Sequence, residues 1–144
     1  MHFIIGGAFN GKRAWVKNYY KVFEHNHWIS AYETQTIPKE LNTFDQDLVV
    51  IEGVEIWLKN LSASMAAYKC RELWAKYLEN WLTWEKAALQ RQLVVIGTDI
   101  TKGIVPIEAE NRLWRDITGR AYQDTAAKSE KVDVIWYGLN QTIK

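Results

Sequence analysis

The sequence predicts an α/β fold with a mostly parallel central sheet, and three observations carry that expectation. Short apolar runs alternate along the chain with longer stretches of helical period. Two of those runs, residues 48–51 and 93–96, are continuous and rich in β-branched side chains, as strands covered on both faces are. The first run, residues 2–5, ends in glycines that lead directly into a helix-like segment.

Taken in order, residues 2–5 form the first strand. Residues 12–24 then read as a helix, because Trp15, Tyr19 and Val22 or Phe23 recur at three-to-four spacing. Residues 28–33 give a second strand, and residues 34–46, with Pro38 among them, a connection. The run at 48–51 is the third strand. Residues 54–89 carry a helical pattern, a short helix followed by a long one. After the strand at 93–96 comes a loop over 97–107, and Pro106 with Glu108 marks a helix start. The last helix covers 108–128 and the last strand 132–137. No internal repeat, low-complexity tract or linker composition interrupts the chain, so residues 1–144 read as a single domain.

Composition narrows the function classes. With 48% hydrophobic and 24% charged residues the chain is globular rather than disordered. A formal net charge of +1 provides no global field for nucleic acid or a membrane surface. The lone Cys70 leaves no intrachain disulfide and suits a reducing cytosol. No signal-peptide pattern and no apolar stretch of spanning length are present, so a cytoplasmic location is expected. Among the eight tryptophans, Trp74, Trp81 and Trp84 form with Tyr77 a stripe at three-four-three spacing. Such a stripe reads as core or as a subunit interface.

The run Gly6-Gly7-Ala8-Phe9-Asn10-Gly11-Lys12 fits the phosphate-loop pattern G-x-x-x-x-G-K, between a strand and a helix where that loop belongs. Its amides and the helix N-terminus would hold phosphate oxygens, with Lys12 on the terminal phosphates. The next position normally carries a hydroxyl that ligates magnesium, but here it is Arg13. A guanidinium has no lone pair to give a cation. Either it pairs with a phosphate and partly replaces the metal's charge, or it marks a site that binds nucleotide and catalyses poorly. Two acids close strands on the same side. Glu52 ends "LVVIE" and Asp99 follows "LVVIGT", each placed to hold magnesium or to be an ordinary solvated acid. On the last helix, Arg112, Asp116, Gly119 or Arg120, and Gln123 recur on one face, as a charged surface or a pair of phosphate-binding arginines.

The block "GIVPIEAENRLWRDITGRAYQ" resembles the signature of the bifunctional adenosylcobinamide kinase / adenosylcobinamide-phosphate guanylyltransferase family, through Gly103, Ile104, Val105, Pro106, Arg112, Arg115, Asp116, Gly119, Arg120 and Gln123. "GGAFNGK" and "EGVEIWLKNL" are similar to two further blocks of that family, in the same order. The resemblance implies a P-loop NTPase-like, RecA-like three-layer fold, homo-oligomerisation, and GTP or ATP with Mg2+ as cofactors. It also implies a corrinoid substrate, adenosylcobinamide, with Lys12, Glu52, Arg112 and Arg120 as catalytic residues. Departures accompany it: Arg13 replaces a serine, Glu52 an aspartate, Thr98-Asp99 an Asn-Glu pair, and Tyr122 an asparagine. The chain is also short between its second and third strands, where family members carry a helix with the histidine that takes GMP. His25 and His27 lie nearby but on no comparable helix. The expectation is a nucleotide-dependent kinase that has lost the guanylyltransferase step. The alternative is a nucleotide- or corrinoid-binding protein without turnover.

Overall fold

A computed structural model describes residues 1–22 and 27–144. Six strands form one sheet in the order β2-β3-β4-β1-β5-β6. They are β1 (His2–Gly6), β2 (His27–Ser30), β3 (Leu48–Glu52), β4 (Gln92–Thr98), β5 (Lys131–Trp136) and β6 (Leu139–Thr142). All neighbouring pairs are parallel except the β5–β6 hairpin. Four helices cover the faces: α1 (Lys12–Tyr20), α2 (Val54–Ser64), α3 (Ala67–Lys86) and α4 (Ala109–Lys128).

The apolar runs are continuous because each strand feeds two cores. Phe3, Val49, Ile51, Leu93 and Val95 point to the α2–α4 face, while Ile4, Val50, Val94 and Ile96 point to the α1 face with Val16 and Trp15. The result is the expected three-layer α/β/α arrangement. The tryptophan stripe belongs to the larger core, where Trp74, Trp81 and Trp84 are fully buried, so it is not a subunit interface. Its indoles also act as ties. Trp74 Nε1 donates to Thr125 Oγ1 at 3.0 Å, joining α3 to α4. Trp57 and Trp81 donate to the carbonyls of Gln35 and Pro38 at 2.8 and 2.9 Å, fastening the β2–β3 connection to the helical layer.

Several boundaries differ from expectation. Helix α1 closes at Tyr20, because Lys21 turns left-handed at φ 51° and the Val22 amide reaches back to Lys17 O. The remainder of its expected span, 23–24, lies outside the described residues. The second strand ends at Ser30 and passes into a 3-10 turn, Ala31–Glu33. Helices α2 and α3 part at Met65, whose extended backbone (φ −152°) breaks the hydrogen-bond ladder. Strand β6 lies beyond the strands the sequence predicts: "LNQT" shows no apolar alternation, and the structure leaves it exposed at every position.

Candidate functional site

Parallel pairing brings the carboxyl ends of the inner strands to one edge. Gly6 lies opposite Thr98, and Glu52 opposite Ile96. The loop after β1 starts in a tight place: a Cβ on Gly6 would overlap the Ile135 carbonyl oxygen. It then turns through left-handed conformations at Phe9 (φ 58°) and Gly11 (φ 85°). The Asn10 amide donates inward to Gly7 O at 3.4 Å, and Asn10 O accepts from the Gly138 amide in the β5–β6 turn at 2.9 Å. Among the described residues, the amides of Ala8, Phe9 and Gly11 find no protein acceptor. Helix α1 begins at Lys12 without a side-chain cap, so its positive end also faces this loop.

Lys12 is buried and directs its ammonium at the loop itself, 2.7 Å from Gly7 O and 3.1 Å from Gly6 O. Burial holds its pKa below the usual lysine value, against the opposing fields of Glu55, Glu52 and Asp99. A cavity of about 660 Å³ opens beside it. The loop forms one wall, Tyr32, Ile56, Ile100 and Trp114 line the rest, and Glu52 and Glu55 contribute carboxylates.

Glu55 is the residue that sequence reasoning missed. It is almost wholly buried and accepts from the Tyr32 hydroxyl, from the Thr98 amide at 2.9 Å and from the Tyr122 hydroxyl at 3.2 Å. Gly97 makes room for that tyrosine, whose oxygen would lie 2.5 Å from a Cβ there. The available signal was an acid beside Val54 and Leu58, on the stripe of α2 that faces the core.

Glu52 is also buried. Its Oε2 accepts from Trp28 Nε1 at 2.9 Å and faces Arg13 Nε at 3.6 Å. Arg13 lies at the cavity rim, over the Trp28 ring at 5.2 Å, with Nη2 2.6 Å from Glu33 Oε1. That bond to Glu33 raises the guanidinium pKa further. Asp99 Oδ1 accepts from the Thr101 amide and hydroxyl at 2.9 and 2.6 Å, and its other oxygen faces Lys102 at 3.7 Å. These side chains do not fit the magnesium site expected of Glu52 and Asp99. The hydroxyl slot holds a cation with no lone pair, and one oxygen of each carboxylate, Glu52 Oε2 and Asp99 Oδ2, already faces a positive side chain.

The arginines of α4 are not at this cavity. Arg112 donates to the carbonyls of Pro106 (3.1 Å) and Ile107, and Arg115 to that of Thr101, so both brace the loop before α4. Arg120 lines a separate groove of about 320 Å³ with Thr101, Asp116 and Gln123. His27 opens β2 at the far end from the phosphate loop and stacks on Phe44 with ring centroids 3.8 Å apart. His25 lies outside the described residues.

Comparison with known families adds the deciding observation: the family model "Cobinamide kinase / cobinamide phosphate guanyltransferase" matches residues 21–143. The chain belongs to that family. Membership associates it with transferases of cobalamin biosynthesis that act on nucleotides and cobinamide. The matched stretch begins past Lys12, so the reading of the phosphate loop rests on the loop's own geometry. A search of curated proteins returns no match. Among the described residues no helix is long and apolar enough to cross a membrane.

Proposed function

We propose that this family member is a nucleotide-dependent kinase that phosphorylates the side-chain hydroxyl of adenosylcobinamide. The observation that carries the reading is the loop: three amides without acceptors among the described residues, a helix N-terminus and a buried lysine meet at one cavity. Lys12 exchanges its two carbonyl partners for the β- and γ-phosphates of GTP or ATP. The apolar wall of Ile56, Ile100 and Trp114 shields the transferring group from water and provides a surface for a large acceptor. Glu52 Oε1 has no hydrogen-bond partner among the described residues, so it is the carboxylate oxygen available to orient the acceptor hydroxyl and take its proton. The remaining work is positioning and charge stabilisation.

The guanylyltransferase step is absent in this reading. Only one 3-10 turn occupies the β2–β3 connection among its described residues, and His27 stacks on Phe44 away from the loop. Arg13 favours a second reading, a nucleotide-binding protein without turnover, because it stands where a metal-ligating hydroxyl is expected.

Turnover of GTP and ATP with cobinamide separates the two. The kinase reading expects phosphorylated cobinamide, with kcat/KM lowered at least about a hundredfold in Lys12→Ala. Tight nucleotide binding without product supports the binder. A stable covalent guanylyl adduct after incubation with labelled GTP would refute loss of the second step.

A further inference from the structure

Arg13 sits in the first turn of α1, directly after the loop lysine, where the side chain ordinarily faces the nucleotide's metal ion. Its surroundings suit a different task. The Glu33 partner is exposed, as is Arg13 itself (side-chain accessibility 53% and 43%), so that ion pair adds little stability and costs little to give up. The contact with buried Glu52 and the face of Trp28 keep the guanidinium at the cavity rim once Glu33 is released. A guanidinium so placed presents parallel N–H donors to one phosphate and supplies a fixed positive charge beside the ammonium of Lys12.

We infer that Arg13 is a built-in counter-ion: the site binds the triphosphate without ligating a divalent cation, so nucleotide affinity is indifferent to magnesium. This rests on the phosphate-loop reading above and concerns binding alone. Replacing Arg13 by serine restores the hydroxyl that the pattern expects, and should convert a magnesium-indifferent site into a magnesium-dependent one.

The test is isothermal titration of the full chain with GTP and with ATP, in EDTA and in excess magnesium chloride, for wild type, Arg13→Ser and Arg13→Lys. Circular dichroism checks that each variant is folded. Wild type should bind with dissociation constants agreeing within about threefold across the two buffers. Arg13→Ser should weaken binding in EDTA by about tenfold or more, the loss expected for a charged hydrogen-bond donor, and magnesium should recover most of it. Arg13→Lys should fall between, since it keeps the charge and loses the paired donors. Wild-type binding that needs magnesium overturns the inference while leaving the loop reading intact, and so does Arg13→Ser binding unchanged in EDTA. No binding by wild type in either buffer overturns both.

Discussion

Removing the Glu55 carboxylate tests how the site is built. In Glu55→Ala the two tyrosines keep other partners. Tyr122 Oη still reaches Thr98 O at 3.0 Å, and Tyr32 Oη still reaches Thr98 Oγ1 at 3.1 Å. The Thr98 amide has no such reserve among the described residues and is left without its acceptor at 2.9 Å, a loss of about 2 kcal/mol for a partly buried donor. One buried methylene adds about 0.8 kcal/mol. The variant should therefore be less stable by about 3 kcal/mol, or about 10 °C in melting temperature for a domain of this length. Glu55→Gln keeps an oxygen for the Thr98 amide and should lose about 1 kcal/mol. Urea denaturation followed by tryptophan fluorescence measures both. An alanine variant within about 1 kcal/mol of wild type, or a glutamine variant as damaged as alanine, would refute the assignment of the cost to the stranded amide.

Two further perturbations probe the scaffold. Gly6→Ala forces a Cβ onto the Ile135 carbonyl, a backbone neighbour that cannot rotate away, and should cost about 1–3 kcal/mol in a denaturant midpoint measurement. An unchanged midpoint would show that the strands separate freely there. His2 accepts from the Tyr20 hydroxyl at 2.5 Å and donates to Asp133 at 2.8 Å when its imidazole is neutral. Burial lowers the His2 pKa below 6.5, against the raising effect of Asp133, so the unfolded chain takes up the proton first. Stability should hold above neutral pH and fall as pH drops below 6.5, by at most about 1.4 kcal/mol per pH unit for this group. Melting curves from pH 7.5 to 5 should show a smaller slope in His2→Asn, and an equal slope would reject His2 as the source.

The layered fold was legible because β-branched runs buried on both faces carry a signal that does not depend on distant contacts. Ends of elements were less so. The stop of α1 at Lys21 depends on a left-handed residue that no glycine announces. Strand β6 exists because β5 presents an edge to it, and its own residues bury nothing. At the site, the places of the loop after β1 and of Glu52 at the end of β3 could be read from pattern and strand position. Glu55 could not, because its role arises from Thr98, Tyr32 and Tyr122, which meet only in the fold. Arg112 illustrates the converse: helical spacing gave its face, but its partners are carbonyls of the preceding loop.

The bond from the Gly138 amide to Asn10 O, with the 3.2 Å clearance a side chain on Gly11 would leave, makes the hairpin a clasp on the glycine turn. Strand β6 is also one of the two borders of the sheet, with β2 at the other. The backbone of Asn10 is thereby held from outside the cavity, by a turn whose second strand lies at the margin of the sheet.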